Sequence, residues 1–338
     1  MVVLKDYIRK RDSMSIMPLE KRNISTSRLI YGCMGLGGDW NENQVTNEDI
    51  LTAEKAIETA LSAGITMFDH ADIYKKGKAE TVFGKVLNQR PELREKMVLQ
   101  SKCGIRFPEG EIPNRYDFSK KYILQSVDGI LSRLGVEYLD TLLLHRPDPL
   151  VEPEEVADAF DRLKESGKVR HFGVSNMNTA QIKLLQAYCS DPLVVNQLEM
   201  SLNRIDWLEH GVLVNQKEGT SVNFGDGIIE HCRLENIQLQ AWAPLAYGVY
   251  SGRELKDPAE SVLKTKEIVL KLAKEKETTA EAIVLGWLMR HPARIQPVIG
   301  TANPDRIKNC EDAVRQSEIM SREEWYSLYV ASRGKMMP

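Results

Sequence analysis

Four residues of types that move protons and hold oxygens stand at or just past the ends of apolar runs: Asp69, Tyr74, Lys102 and His145. The runs are Gly64 to Asp69, Met97 to Lys102 and Leu139 to His145, with Asp69 and Tyr74 sharing the first. If these runs are successive parallel strands, their carboxyl ends share one face of a barrel, where catalytic groups collect. Together the four make an acid assembly. The phenol gives up a proton, the ammonium lowers the phenol's pKa, the carboxylate holds the ammonium, and the imidazole holds a substrate oxygen. That is equipment for reducing a carbonyl. The plainer reading is an ordinary ion pair of Asp69 and Lys102 at a barrel rim, with Tyr74 as a rim aromatic. His70 and Asp72 invite a metal reading, but period-two alternation turns His70 away from Asp69, and no second histidine cluster completes a site. The expectation is no metal.

These residues need a scaffold. The chain has 338 residues, 28% charged and 42% apolar, enough for one large barrel with an ordinary core. A net charge of −3 gives no reason to expect nucleic acid or an anionic membrane as partner. Five scattered cysteines, odd in number and without a C-x-x-C pair, predict reduced thiols and a cytoplasmic protein. The start, Met-Val-Val-Leu-Lys-Asp-Tyr-Ile-Arg-Lys-Arg-Asp, has no long apolar core, so no signal peptide is expected. No stretch approaches the roughly 20 apolar residues of a membrane span.

Besides the three runs, strand candidates are Leu29 to Gly35, Val169 to Val174, Leu193 to Glu199, Ile237 to Trp242 and Gln296 to Gly300, eight in all. Helical periodicity fills the intervals, as at Ile50, Ala53, Ala56, Ile57, Ala60 and Leu61. Val156, Ala159, Phe160 and Leu163 repeat the pattern after Glu152-Pro153-Glu154-Glu155, a first turn suited to a helix dipole. Gly64 and Gly167 follow two such helices, where a left-handed exit wants glycine. The fold class expected is α/β, a closed (β/α)8 TIM barrel. An open doubly wound sheet is disfavoured because Gly32-Cys33-Met34-Gly35-Leu36-Gly37 lacks the G-x-G-x-x-G spacing. Residues 1–20 read as an N-terminal extension and 21–338 as a single barrel domain, with a Pro/Gly-bearing loop at 106–116 and a C-terminal tail from about 317. Trp325, Tyr326 and Tyr329 in that tail either cover the barrel mouth or pack on the helical ring.

From Leu29 to about Val314 the chain resembles the aldo-keto reductases. Phe68-Asp69-His70-Ala71-Asp72-Ile73-Tyr74 looks like that family's D-x-A-x-x-Y segment. Ser101-Lys102 and Leu144-His145-Arg146-Pro147 match its lysine and histidine strands. Gly173-Val174-Ser175-Asn176 and Asn196-Gln197 match the segments that hold a nicotinamide carboxamide. The His-Ala-Asp-Ile-Tyr and His-Arg-Pro-Asp-Pro stretches look close to the bacterial YdhF-type branch.

The resemblance implies Tyr74 as general acid, Lys102 and Asp69 as its tuning pair, and a neutral His145 that orients the carbonyl. It implies a nicotinamide held by Ser175, Asn176 and Gln197 and stacked on Trp242, where the family usually has tyrosine. Pro244 and Leu245 would border the pyrophosphate. Gly300, Thr301 and Arg306 would meet the adenosine phosphate at a helix that Asn303 caps and Pro304 begins. Arg306 favours NADPH, with NADH less expected. Gly300 departs from a phosphate-binding lysine, and Cys310 from an asparagine common in the family. Trp40, Trp207, Phe224 and Tyr247 are expected to wall a small-molecule carbonyl substrate, with the 210–226 segment as a lid. The expected function is reduction of aldehydes or ketones to alcohols. The alternatives are a slow-turnover redox-sensing NADP(H)-binding subunit of the same fold and, more weakly, a metal-dependent barrel hydrolase. The sequence does not give the oligomeric state.

Overall fold

The computed structural model describes residues 16–338. Most of the expected N-terminal extension, residues 1–15, therefore lies outside the described residues. The chain folds as a (β/α)8 TIM barrel. Its strands, in chain order and with a hairpin included, are β1 (Ile30–Gly32), β2 (Met67–Asp69), β3 (Val98–Cys103), β4 (Ile105–Arg106), β5 (Arg115–Tyr116), β6 (Leu139–Leu144), β7 (Val169–Ser175), β8 (Leu193–Glu199), β9 (Gln238–Trp242) and β10 (Gln296–Ile299). The closed barrel runs β1-β10-β9-β8-β7-β6-β3-β2, and neighbouring strands in it are parallel. All eight expected barrel strands are present. The first is shorter than expected, because the chain turns at Cys33–Gly35 into a 3-10 turn.

The residues expected to make helices make them for legible reasons. Thr46 and Asp49 form a capping box at the start of the Asn47–Ser62 helix, which buries Ala53, Ala56, Ile57 and Ala60. The Pro153–Glu165 helix has proline in its first turn and buries Val156, Ala159, Phe160 and Leu163. Gly64 and Gly167 sit at φ 74° and 73°, the left-handed exits the sequence called for.

Two features correct or settle the sequence reading. The segment 106–116, expected as a loop, contains a β-hairpin: Ile105 pairs with Tyr116 and Arg106 with Arg115. Arg106 ties it by charge, to Asp117 at 2.8 Å and Glu109 at 2.9 Å, a pattern with no apolar alternation to announce it. The C-terminal tail packs on the helical ring. Trp325 stacks on Trp287 at 5.2 Å, and each indole N–H donates to the other residue's carbonyl oxygen. That explains why the Ala280–Met289 helix is buried almost all round. A helix at Pro18–Lys21, unforeseen in the sequence, packs Leu19 among Ile30, Met67, Leu143, Val195 and Val298 in the barrel interior.

Candidate active site

Asp69 ends β2, Lys102 is the penultimate residue of β3, and His145 directly follows β6. Parallel pairing of β2 with β3 and of β3 with β6 therefore delivers three polar side chains to one rim. Tyr74 joins them from the turn after β2, where its N–H donates to Ala71 O at 3.0 Å. Lys75, Lys76 and Gly77 then follow at φ 52°, 59° and 85°, a left-handed run that sends the chain sharply away from the phenol.

The Lys102 ammonium is fully accounted for. It donates to Asp69 Oδ2 at 2.7 Å, to His70 O at 2.9 Å and to Tyr74 Oη at 3.0 Å. The Lys102 and Asp69 side chains are 1% and 2% exposed, so this is a buried ion pair that needs its hydrogen bonds to persist. Asp69 Oδ1 accepts from Gln100 Nε2 at 2.7 Å and from Gln197 Nε2 at 3.2 Å. Below lies a layer of buried amides. Gln240 Oε1 accepts from Gln100 and Gln197, and Gln240 Nε2 donates to Gln100 and Gln296. Sequence reasoning missed Gln100, Gln240 and Gln296. The signal was there, since period two puts Gln100 on the same face as Lys102 and Gln240 on that of Trp242.

Burial pushes the Tyr74 phenol above its usual pKa, and the nearby Lys102 charge only partly offsets this. The net shift corrects the expectation of a lowered phenol: desolvation, with the Asp69 charge beside it, outweighs the Lys102 ammonium. Lys102 loses by burial but gains more from the Asp69 and Tyr74 charges, so its pKa rises. His145 is held well below the usual imidazole range by burial, then by Lys102 and Arg146, and is therefore neutral. Its Nδ1 is buried without a partner, and its ring meets Tyr74 edge-on at 6.1 Å.

These groups open into a cavity of about 580 Å³. Of the residues named from sequence, Asp69, Tyr74, His145, Ser175, Asn176, Gln197, Trp242, Pro244, Leu245, Gly300, Thr301, Arg306, Trp40 and Tyr247 all line it, while Lys102 lies behind Tyr74 and Asp69. Asn176, at φ 59°, donates through Nδ2 to Ser175 Oγ at 2.8 Å and to His145 O at 3.3 Å. Its Oδ1 accepts the Trp242 indole N–H at 3.1 Å. Asn303 caps the Pro304–Lys308 helix by accepting from the Asp305 and Arg306 N–H groups. The Arg306 guanidinium is left at the cavity wall beside Gly248.

Two expected walls are elsewhere. Trp207 is buried against Trp287 and His291, with ring centroids 5.8 Å and 5.1 Å away. Phe224 packs near His210, 6.5 Å between centroids. Neither lines the cavity. Trp207 sits in a short helix, Asp206–Val212, whose buried face carries it to Trp287, and Phe224 is only half-buried. His70 points into the helical layer, edge-on to Phe83 at 4.6 Å. Among the described residues, no group of three or more His, Cys, Asp or Glu side chains is placed to hold a metal ion, and no helix is long and apolar enough to cross a membrane.

The residues present fit a nicotinamide cofactor in chemistry: an indole in the cavity wall, amides beside it, and a guanidinium with a threonine hydroxyl in the same wall. The class this describes is a parallel eight-stranded barrel with a buried Asp–Lys–Tyr chain and a histidine at its mouth. Comparison with known proteins agrees. Residues 28–325 match the Aldo/keto reductase family. The chain is 35% identical over 317 residues to a 6-dehydroglucose reductase of Agrobacterium fabrum, covering 92% of this chain and 96% of that one. It is 34% identical over 284 residues to the oxidoreductase YdhF of Escherichia coli, covering 83% and 88%. In fold it is similar to a glycerol dehydrogenase of Gluconobacter oxydans, with TM-score 0.74 and 20% identity over 92% of this chain and 93% of that one. An aldo-keto reductase of Klebsiella pneumoniae in complex with NADPH gives TM-score 0.67 and 22% identity over 88% and 89%. The chain belongs to the aldo/keto reductase family and is an NAD(P)H-dependent oxidoreductase.

Proposed function

We propose that the protein reduces aldehydes or ketones to alcohols with NADPH, and that Tyr74 is the proton donor. The observation that carries this is the chain Asp69–Lys102–Tyr74, closed at 2.7 Å and 3.0 Å beside the cavity. A dihydronicotinamide, when bound, supplies hydride to the carbonyl carbon. Tyr74 Oη gives its proton to the carbonyl oxygen, and the phenolate left behind is stabilised by the Lys102 ammonium it already touches. Water then returns the proton to the phenolate. His145, neutral, has an N–H to donate to the same oxygen and so fixes the carbonyl's approach.

Ser175, Asn176, Gln197 and Trp242 are proposed to hold the nicotinamide end. Gln197 has its Nε2 committed to Asp69 and Gln240, which leaves its carbonyl oxygen for the task. Pro244, Leu245, Gly300 and Thr301 line the path to Arg306, which is proposed to read the 2′-phosphate and so favour NADPH over NADH. Trp40 and Tyr247 are proposed as substrate walls. The direction of reaction agrees with the name of the Agrobacterium relative.

The test is titration of tryptophan fluorescence with NADPH and NADH, followed by turnover of an aldehyde panel. Tight NADPH binding with carbonyl-dependent oxidation of NADPH is expected. Tight binding without turnover of any carbonyl would replace this reading with the slow redox-sensing one.

A further inference from the structure

The cavity that holds Tyr74 and His145 also carries a guanidinium that proton transfer does not use. Arg146 lines it, one residue past His145. The charged side chains of the cavity wall are Asp69, Arg146 and Arg306, so Asp69 is its single acid. Both Asp69 oxygens are taken, by Lys102 on one side and by Gln100 and Gln197 on the other. Among the described residues Arg146 forms no ion pair and no side-chain hydrogen bond; the Trp242 ring lies on one side of it, its centroid 5.9 Å from the guanidinium carbon. A contact at that distance is a loose cation–π attraction that leaves all five guanidinium N–H groups without a hydrogen-bond acceptor among the described residues, free for a planar oxyanion.

The backbone beneath Arg146 is fixed on both sides. The His145 N–H donates to Cys103 O at 2.9 Å, and its carbonyl accepts from Asn176 Nδ2 at 3.3 Å. Pro147 locks the next φ. Asp148 then accepts from the Phe118 and Leu150 N–H groups, each at 2.9 Å. A half-buried cation on a rigid turn, with no carboxylate of its own, is arranged to receive one.

We propose that Arg146 binds a carboxylate on the substrate, so that the preferred substrates are short aldehydes or ketones bearing a carboxylate a few carbons from the carbonyl. This rests on the reductase reading above. The two groups share one cavity: His145, proposed to orient the carbonyl, and Arg146, proposed to hold the anion, both line its wall, so one short molecule can meet both. The other guanidinium of the cavity, Arg306, lies beside Gly248 and is the one proposed above for the cofactor's phosphate.

The experiment measures kcat/KM with NADPH for matched pairs: succinic semialdehyde against butanal, and 4-carboxybenzaldehyde against benzaldehyde. The wild-type protein is expected to favour the acid in at least one pair by about tenfold or more, the effect of a charge-assisted hydrogen bond. Arg146→Met is expected to bring that ratio close to one, and Arg146→Lys to retain part of it, because a point charge replaces the fork. Equal kcat/KM within both pairs for the wild type overturns the assignment. So does a ratio unchanged by Arg146→Met, including the case in which that variant loses NADPH affinity by fluorescence titration, which would give Arg146 to the cofactor. If NADPH binds and neither these pairs nor any carbonyl of the panel above is reduced, the reductase reading itself fails and this assignment falls with it; reduction of other panel members with none of these four overturns the carboxylate assignment alone.

Discussion

Trp242 donates its indole N–H to Asn176 Oδ1 across 3.1 Å, joining the ends of β9 and β7 at the cavity wall. One residue offers a flat aromatic face; the other, an asparagine, is of a type that tolerates the left-handed conformation it takes, φ 59°. The bond fixes the plane of the indole before any ligand arrives. Trp242→Phe keeps an aromatic face and removes the donor. NADPH affinity is expected to fall about tenfold, the worth of one neutral hydrogen bond near 1 kcal/mol plus lost contact area, as read by dihydronicotinamide fluorescence. An unchanged Kd would show that the indole N–H has no part in positioning the platform.

Tyr74→Phe removes the proton donor and leaves the ring. Reduction is expected to fall by about 10²–10⁴ in kcat, with NADPH affinity within about twofold of wild type. The raised phenol pKa adds a pH signature. An acid catalyst works while protonated, so kcat/KM for reduction should stay level through neutral pH and decline only above the ordinary tyrosine pKa of about 10. A decline centred near neutrality would assign the acid to another group.

Arg306→Ala is expected to weaken NADPH by about 10- to 100-fold and NADH by less than about threefold, because only NADPH carries the 2′-phosphate. Isothermal titration with both cofactors decides it. Equal losses would place Arg306 on the pyrophosphate or on the Gly248 turn it touches.

Much of this molecule was legible because a barrel repeats one signal. Eight apolar runs with helical intervals admit few folds, and Asp69, Lys102 and His145 each sit where such a run stops. The amide layer was legible only in part: period two gives the inward face of Gln100 and Gln240, and Gln197 was named for the cofactor, but a single glutamine inside an apolar run carries no hint that three others from other strands will meet it. Trp207 failed for the opposite reason, since its type says "buried" and not "where". The layer yields its own prediction. Gln240→Leu strands amide groups of Gln100, Gln197 and Gln296 in the barrel interior and should cost about 3 kcal/mol in urea unfolding. A loss under about 0.5 kcal/mol would mean the layer repacks freely.

A buried histidine and a half-buried aspartate just past β2 give stability an opposed pH dependence. His70 has both ring nitrogens buried without partners, and burial, then the Lys102 charge, lowers its pKa to about 3. The unfolded chain takes up that proton near the ordinary value of 6.5. Between the two, the unfolded state holds more protons, so this term makes stability rise with pH and vanish as a liability above 6.5. Asp72 is the reverse: burial, then the nearby Glu80 charge, raises its pKa from 3.8 to about 7. Across that window the folded state holds the extra proton, so stability falls as pH rises. The windows overlap and the slopes oppose, which predicts a shallow dependence in the wild type. Asp72→Asn should unmask the His70 slope and gain stability at pH 7 by no more than about 4 kcal/mol, three pKa units at 1.36 kcal/mol each. His70→Leu should unmask the opposite slope. Urea midpoints measured at several pH values between 4 and 7 test this directly. Parallel curves for wild type and both variants would mean that neither group titrates out of step with the unfolded chain.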